Sequence, residues 1–310
     1  MNIVYGSYTG NGVDNRSITG IGFTPELVII KGDTTQHAVF KTTSLSGDNT
    51  LPLAQSAGAF ADGIQSLDSD GFTLGTNATV NSNSVTYYWI AVRAASDGDF
   101  KEGTYTGDGV DNRNITGIGF QPSIVVIKAN SVAIGRMRDS SDTLEQTHML
   151  NDNYLTENEI QALQTDGFQV GTSTGVNGNG TAYYWFAFRA DTGEITINSY
   201  NGNGTDDRDI TGIGFVPDMV WIFNAFDGDI YPGADAILKT SSMAGDSTFL
   251  FANSSSVTNR IQALQTDGFQ VGTDQDANSS LGTYHYLAFE NLPAGTTTST
   301  STSTTTSSST

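Results

Sequence analysis

The stretch "GNGVDNRSITGIGF" (residues 10–23) decides the fold, because the chain contains it three times. It returns as "GDGVDNRNITGIGF" (107–120) and as "GNGTDDRDITGIGF" (202–215). The tyrosines that precede these stretches, Tyr8, Tyr105 and Tyr200, lie 97 and 95 residues apart. Solenoid repeats are shorter, at about 20–45 residues. The interval therefore predicts a complete domain repeated in tandem.

The pattern inside each copy is that of β-strands. The runs "LVIIK" (27–31), "IVVIK" (124–128) and "MVWIF" (219–223) are short and rich in β-branched residues, and clusters of Gly, Asn, Asp and Ser separate the runs. We predict an all-β fold of three tandem antiparallel β-sandwich repeats, jelly-roll or immunoglobulin-like, of about 95 residues each. The predicted boundaries are 1–95, 101–191 and 195–292, joined like beads by short linkers, with a Ser/Thr-rich linker or stalk at 293–310.

The sequence does not decide whether two short segments are helical or extended. "NEIQALQ" (158–164) and "NRIQALQ" (259–265) place Ile and Leu three residues apart, and one helical turn or a short strand serves equally.

Composition excludes several classes of function. The net charge of −20 and only 13 basic residues argue against nucleic acid as a partner. The absence of cysteine excludes disulfides and thiolate metal sites. No apolar run reaches the 18 or so residues of a membrane helix, so we expect no membrane insertion. The N-terminus does not resemble a secretory signal, which leaves a mature segment or release by lysis, as for virion proteins.

The last fifteen residues are all Ser or Thr, which predicts an extended or disordered tail of the kind found in O-glycosylated stalks. A flexible linker is the alternative. Seven Asn-x-Ser/Thr sequences, among them Asn77, Asn114 and Asn278, permit N-glycosylation, although so short a pattern is common in a chain of this composition.

The triplicated stretch has two interpretations. It is a dense turn followed by a strand, repeated because the fold is repeated, or it is a calcium site in each copy. Calcium binds six to eight oxygen ligands, which a Gly-rich loop with acidic and amide side chains can supply. The candidate ligands are Asn11, Asp14, Asn15, Asp108, Asp111, Asn112, Asn203, Asp206 and Asp207. Against calcium, an arginine follows each set at Arg16, Arg113 and Arg208, and a fixed cation disfavours a second one.

Other motifs give weaker signals. Asp-Gly at Asp70, Asp166 and Asp267 predicts a hairpin in each copy. The three histidines, His37, His148 and His285, lie at non-equivalent places in their copies, and no carboxylate pair is singled out, so we expect no enzyme.

The aromatic strand that closes each copy offers a surface for ligands. Strict alternation places Tyr87 and Trp89 on one face and Tyr88 on the other. Tyr88 and Tyr184 are then candidate ligand-binding residues that stack on sugar rings, and packing against a neighbouring strand is the alternative. Residues 1–8 form a further candidate, because this extended segment could add a strand to a neighbouring subunit.

Taken in order, the blocks Tyr-x-Gly-Asn-Gly, Ile-Thr-Gly-x-Gly-Phe, Asp-Gly-Phe-x-x-Gly and the closing aromatic strand resemble a β-sandwich repeat of unknown function. Such repeats occur in phage tail and virion structural proteins and in large bacterial surface proteins. The resemblance spans residues 5–290. The third copy departs from it at Tyr286 and Leu287, and the second lacks the "KTTSLSGD" block (41–48) that the third repeats at 239–246.

The resemblance implies a non-enzymatic structural or adhesive role. We expect a segment of an extracellular, cell-surface or virion fibre that associates with itself or with other fibre subunits. The alternative is an adhesin or carbohydrate-binding module that binds surface glycans. Calcium is the one cofactor that the motifs suggest.

Overall fold

The computed structural model describes residues 1–95, 98–142, 145–151, 155–190, 194–224 and 235–290. These residues form antiparallel sheets, with two helices of four residues each, α1 (Ala78–Asn81) and α2 (Gln275–Asn278). The all-β prediction is confirmed. No helix in the described ranges is long and apolar enough to cross a membrane. The predicted Ser/Thr-rich tail lies outside the described residues.

The first repeat consists of two facing sheets. The larger has the order β1-β9-β3-β4-β5-β6 and the smaller the order β2-β8-β7. The strands are β1 (Asn2–Thr9), β2 (Arg16–Thr19), β3 (Leu27–Gly32), β4 (Val39–Thr42), β5 (Asn49–Pro52), β6 (Phe60–Ala61), β7 (Ile64–Asp68), β8 (Gly71–Leu74) and β9 (Thr86–Arg93).

The second repeat has the same arrangement, with the orders β10-β18-β12-β13-β14-β15 and β11-β17-β16. Its strands are β10 (Phe100–Thr106), β11 (Arg113–Thr116), β12 (Ile124–Ala129), β13 (Arg136–Asp139), β14 (Thr147–Met149), β15 (Leu155–Thr156), β16 (Ile160–Gln164), β17 (Gly167–Val170) and β18 (Ala182–Phe188).

The third repeat has the orders β19-β26-β21-β22-β23 and β20-β25-β24. Its strands are β19 (Ile195–Asn201), β20 (Arg208–Thr211), β21 (Met219–Asn224), β22 (Ile237–Thr240), β23 (Phe249–Leu250), β24 (Ile261–Gln265), β25 (Gly268–Val271) and β26 (Thr283–Phe289). The "IQALQ" segments are strands, β16 and β24, and each contains an irregularity in its pairing register.

The central strand of each larger sheet is buried on both faces. In β3, Val28 and Ile30 face the smaller sheet of their own repeat. Leu27 and Ile29, which alternate with them, belong to a different core on the opposite side of the sheet. All six residues of β3, β12 and β21 are buried. Two-sided burial explains why these strands are continuous apolar runs and not alternating ones.

The core on the face of each larger sheet that points away from its smaller sheet is shared by all three repeats. It contains Ile29 and Phe40 from the first repeat, Phe186 from the second, and Trp221 and Phe289 from the third. Aromatic rings join the repeats directly, with ring centroids 5.7 Å apart for Phe40 and Phe186 and 5.9 Å apart for Phe188 and Phe289. The expectation of separate beads on short linkers is therefore wrong, because the linked domains bury one face of each sheet together.

The contacts between repeats form a closed ring. Repeat two contacts repeat one, since the Gly135 amide donates to the Leu53 carbonyl at 2.8 Å. Repeat one contacts repeat three in the equivalent way, since the Ala38 amide donates to the Phe251 carbonyl at 2.9 Å. Repeat three contacts repeat two through the His148 and Phe223 rings, 5.0 Å apart. The three repeats are thus arranged with quasi-threefold symmetry within one chain.

The N-terminal segment is an integral strand of this arrangement. β1 pairs with β9 over its whole length, from Asn2 opposite Arg93 to Thr9 opposite Thr86. Met1 lies in the shared core, and its amino group contacts the carboxylates of Asp99 and Glu194. The hypothesis that residues 1–8 add a strand to another subunit is wrong, because this segment completes the sheet of its own repeat.

The shared core predicts that the three repeats unfold together. Replacing Phe186, which is buried between Phe40 and Phe188, with alanine should lower the free energy of unfolding by about 3–5 kcal/mol in one transition. Urea unfolding followed by intrinsic fluorescence and circular dichroism measures this. The control Val132→Ala, at a residue that is 82% exposed, should change stability by less than about 0.5 kcal/mol. Three separate transitions would contradict the shared core.

Candidate functional site

The triplicated stretch and the Asp-Gly hairpin form one structural unit. Gly20 and Gly22 have φ angles of +89° and +85°, and their amides converge on one carboxylate. Asp70, in the hairpin between β7 and β8, accepts from the Gly20 amide at 3.0 Å and from the Gly22 amide at 2.6 Å. Asp166 and Asp267 make the same pairs of bonds in the other repeats. The glycines are required because only glycine adopts such φ angles without strain.

Side-chain oxygen atoms of the candidate calcium loops accept hydrogen bonds from the loop backbone and from a glutamine on a neighbouring strand. In the first repeat the Asn11 side chain accepts from the Val13 amide at 3.0 Å, and Asp14 accepts from the Asn15 amide at 2.9 Å. Gln65 donates a further bond to Asp14 at 2.9 Å. These bonds are those of a tight turn with Asn15 in the left-handed region, at a φ of 56°.

The other two loops have the same construction. Asp108 accepts from the Val110 amide, Asp111 from Gln161, and Asp206 from Gln262, at 2.9–3.0 Å. The Asn203 side chain accepts from the Thr205 amide, and Asn112 and Asp207 are left-handed like Asn15. The geometry favours the turn interpretation, and calcium binding in the loops stays a prediction.

The arginine that follows each loop fixes the loop to the strand before it. Arg16 donates to the Thr9 carbonyl at 2.5 Å and lies over the Tyr8 ring at 4.9 Å. Arg113 and Arg208 repeat both contacts. Each arginine also donates to a buried asparagine just before the closing aromatic strand, which is Asn81 at the end of α1, Asn177, or Asn278 at the end of α2. Asn278 is therefore enclosed, which makes this Asn-x-Ser sequence unsuitable for glycosylation.

We expect the hairpin carboxylate to matter more for stability than the loop carboxylate. Asp70→Ala removes the acceptor for two backbone amides, so it should lower the free energy of unfolding by about 1 kcal/mol, comparable to the loss of a helix cap. Asp14→Ala is the matched control in the neighbouring loop and should lower the free energy of unfolding by a smaller amount. Thermal unfolding of both variants measures the difference, and a larger effect of Asp14→Ala would contradict the assignment.

The candidate sugar-binding tyrosines lie between repeats. Tyr88 is partly buried against the shared core, with its ring 5.0 Å from Phe249 of the third repeat. Tyr184 is partly buried against the same core. His285, which occupies the equivalent position in the third repeat, is only 7% exposed. The neighbouring repeat covers part of the second face of the sheet, so Tyr88 and Tyr184 are only partly exposed and His285 is buried. Sugar binding at Tyr88 and Tyr184 stays a prediction.

A lysine lies opposite each of the two tyrosines, Tyr88 and Tyr184, and contacts the neighbouring repeat. Lys31 donates to the carbonyls of Gly32 and Thr34 in its own repeat and of Ser254 in the third, at 2.7–2.9 Å. Lys128 donates to the Ala57 carbonyl of the first repeat at 2.7 Å, and to two carbonyls of its own repeat. In the third repeat the equivalent residue is Phe223, so this interface lacks the lysine contact.

Burial of these lysines makes stability depend on pH. Burial, helped by Arg136, lowers the pKa of Lys128 to about 7, and burial lowers the pKa of Lys31 to about 8 although Asp33 opposes it. An unfolded lysine has a pKa of about 10.4. Between pH 7 and 10 the unfolded state therefore binds protons that the folded state does not, and the free energy of unfolding rises with pH.

The variant Lys128→Met should reduce this rise by up to about 1.4 kcal/mol per pH unit. Urea unfolding at pH 7, 8 and 9 measures the slope, with Lys101→Met at an exposed position as the control. A slope equal to that of the unchanged protein would show that Lys128 keeps its ordinary pKa despite burial.

The interface between repeats two and three contains a buried cluster of two histidines and two carboxylates. Asp139 ends β13, Asp142 follows in the next loop, His148 lies on β14, and His285 lies on β26 of the third repeat. One potential ligand atom from each residue lies within 4.8 Å of the others. The side chains of Asp139, Asp142 and His148 are inaccessible to solvent, and that of His285 is 9% exposed.

Short polar contacts connect the four side chains. His148 Nε2 lies 2.7 Å from Asp142 Oδ1, and the same oxygen lies 3.4 Å from His285 Nδ1. His285 Nδ1 also lies 3.1 Å from Asp139 Oδ2 and 2.9 Å from Ser141 Oγ. Burial lowers the pKa of His285, but its hydrogen bond to Asp139 and the two carboxylate charges outweigh burial and raise it overall. Burial raises the pKa of Asp139, and the His285 contact in turn holds it below its usual value.

The cluster does not have the geometry of a catalytic triad. In a triad, serine and aspartate contact opposite nitrogens of one imidazole. Here Ser141 and Asp139 contact the same nitrogen of His285, and Ser141 Oγ donates to Asp139 itself at 2.5 Å. The arrangement can bind a cation or hold protons, but it does not activate Ser141 as a nucleophile.

Sequence reasoning missed this cluster because it compared the histidines as copies of one position. His148 and His285 come from different strands of different repeats, and only closure of the ring places their rings 5.5 Å apart. One signal was present, since Asp139 and Asp142 fall where the second copy lacks the "KTTSLSGD" block.

Together these features define a class of protein in which tandem all-β repeats close around a common core and carry a polar cluster at one interface. A protein-family model described as "Domain of unknown function (DUF7483)" matches residues 3–98, 94–199 and 192–310, so the chain belongs to this family. A comparison with curated proteins finds no match.

Proposed function

We propose that the chain is a non-enzymatic structural subunit, or a segment of one, in a virion fibre or an extracellular, cell-surface appendage. The observation that carries this proposal is the shared core. Three equivalent repeats close on one another and bury the outer faces of their larger sheets together. A single chain thereby supplies a rigid unit with the cyclic symmetry on which most protein assemblies are built.

The triplicated loops suit contacts with other subunits. By the quasi-threefold arrangement, the same loop is presented three times around the ring. Val13 and Val110, at equivalent loop positions, are 57% and 59% exposed, and the third loop has Thr205 at this position. In this proposal the loops form part of the surface through which copies of the chain, or other fibre subunits, associate.

The carbohydrate-binding alternative has less support. Stacking on a sugar ring needs an accessible aromatic face, and the rings of Tyr88 and Tyr184 pack against the shared core. Only the part of each ring that stays exposed would be available to a sugar.

Electron microscopy of the purified chain over a range of concentrations tests the proposal. We expect ordered assemblies of three-lobed particles whose formation is weakened by the double change Val13→Asp and Val110→Asp, because charge at the loop tips opposes apolar contact. Val132→Asp, at an exposed valine outside these loops, is the matched control. Particles that stay single at every concentration would contradict self-association, and binding to a panel of glycans would then favour the adhesin alternative.

A further inference from the structure

We propose that Asp139, Asp142, His148 and His285 form a binding site for a divalent transition-metal ion, with zinc as the best-fitting ion. The metal would join repeat two to repeat three across their interface. This inference stands apart from the proposed function, because it concerns one internal interface and requires no assembly.

The spacing of the four side chains suits a tetrahedral ion. Three of the distances between potential ligand atoms are 2.7, 3.1 and 3.4 Å, and all four atoms lie within 4.8 Å of one another. Bonds of about 2.0–2.2 Å to a tetrahedral zinc ion place neighbouring ligand atoms about 3.4 Å apart. Small side-chain movements are enough to reach this geometry. Two imidazoles and two carboxylates also match the ligand preferences of zinc and exclude calcium as the favoured ion.

The hydrogen bonds within the cluster leave its polar groups incompletely satisfied. His285 Nδ1 faces oxygens of Asp139, Asp142 and Ser141, although one ring nitrogen carries at most one proton. Two enclosed carboxylates also repel each other unless a cation or a proton lies between them. A divalent ion bound by two neutral imidazoles would balance both carboxylate charges.

At the other two interfaces between repeats, the positions equivalent to the four cluster residues hold residues that are not metal ligands. The residues equivalent to the four cluster residues are identified from the pairing register of the strands and from the turn that follows the fourth strand of each repeat. Between repeats one and two the positions hold Thr42, Leu45, Leu51 and Tyr184. Between repeats one and three they hold Thr240, Met243, Phe249 and Tyr88, which line one small cavity of about 10 Å³ together with core residues.

All four positions therefore change together, from neutral or apolar residues to residues that bind metals, at one interface out of three. Buried polar clusters of this kind are seldom more stabilising than the apolar residues that could replace them. Packing alone does not explain the change, whereas a metal site requires all four residues at once.

An ion has a short route to the cluster. A surface pocket of about 260 Å³ adjoins it on the side of Asp139 and Asp142. Arg138 lines the same pocket, and its guanidinium donates to the carbonyls of Gln146 and Ile160 at 2.9 and 3.0 Å. Its positive charge also acts on Asp142 and Asp139, so it offsets part of the negative charge of the cluster.

The test is metal binding by the full chain after treatment with a chelator. We expect one equivalent of zinc by calorimetry, an increase in melting temperature of about 2 °C or more in excess ZnCl2, and no such effect of CaCl2. Cobalt(II) should give the visible absorption bands of a tetrahedral site. The variants His148→Leu and His285→Tyr introduce the residues that the first repeat carries at these positions. Each variant leaves Asp139 and Asp142 buried with one imidazole fewer, so circular dichroism is used to verify that it folds. Each should weaken zinc binding by about 100-fold or more.

His37→Gln, which changes the histidine outside the cluster, is the matched control and should keep the full zinc response. Asp14→Asn is a second control, which separates this site from the loops. The proposal is overturned if the folded, unchanged chain shows neither the zinc-dependent shift nor the cobalt spectrum. It is equally overturned if the double variant His148→Leu, His285→Tyr still responds to zinc as the unchanged chain does, or if His37→Gln abolishes the response.

Discussion

Two-sided burial of one strand in each repeat is the constraint on which the rest of the structure depends. In β3, β12 and β21 every second residue faces the smaller sheet, and the residues between them are just as apolar. A lone two-sheet repeat would leave this second face in water, at a cost of about 25 cal/mol for each Å² of apolar surface. Closing three such sheets on each other removes all three faces from water at once. The ring is therefore a consequence of the strand composition.

This constraint also marks where the sequence was informative and where it was not. The repeat length, the strands and the Asp-Gly hairpins follow from local patterns, and the structure confirms them. The arrangement of the repeats does not, because the run "LVIIK" by itself indicates only a strand. Its lack of alternation was the available signal that both faces are covered, and it argued against separate beads. The bond between Asp70 and the two glycine amides was likewise outside local reasoning, since the hairpin and the glycines are distant in sequence and meet only across the smaller sheet.

The candidate sites also include residues that sequence patterns identify and residues that they do not. The loop residues around Asp14 were found because the motif repeats, but repetition reflects the shared fold, and their oxygens serve the turn. Tyr88 and Tyr184 were assigned from alternation, which identifies the second face of a strand but cannot tell whether solvent or another repeat covers it. The His148–His285 pair could not be derived from either pattern. It depends on the order in which the repeats meet around the ring, and that order appears only in the structure.

Internal repetition offers a comparison that a single domain does not. Each interface in the ring is a variant of the other two, built on the same strands, so a difference between them cannot be attributed to the fold. Two interfaces join a buried lysine to carbonyl oxygens of the next repeat and pack neutral side chains around it. The third replaces that lysine with Phe223 and encloses two carboxylates with two imidazoles. Because neutral residues fill these positions in the sister interfaces, packing does not require the ionisable set at the third, and a site for a cation is the property that its atoms share.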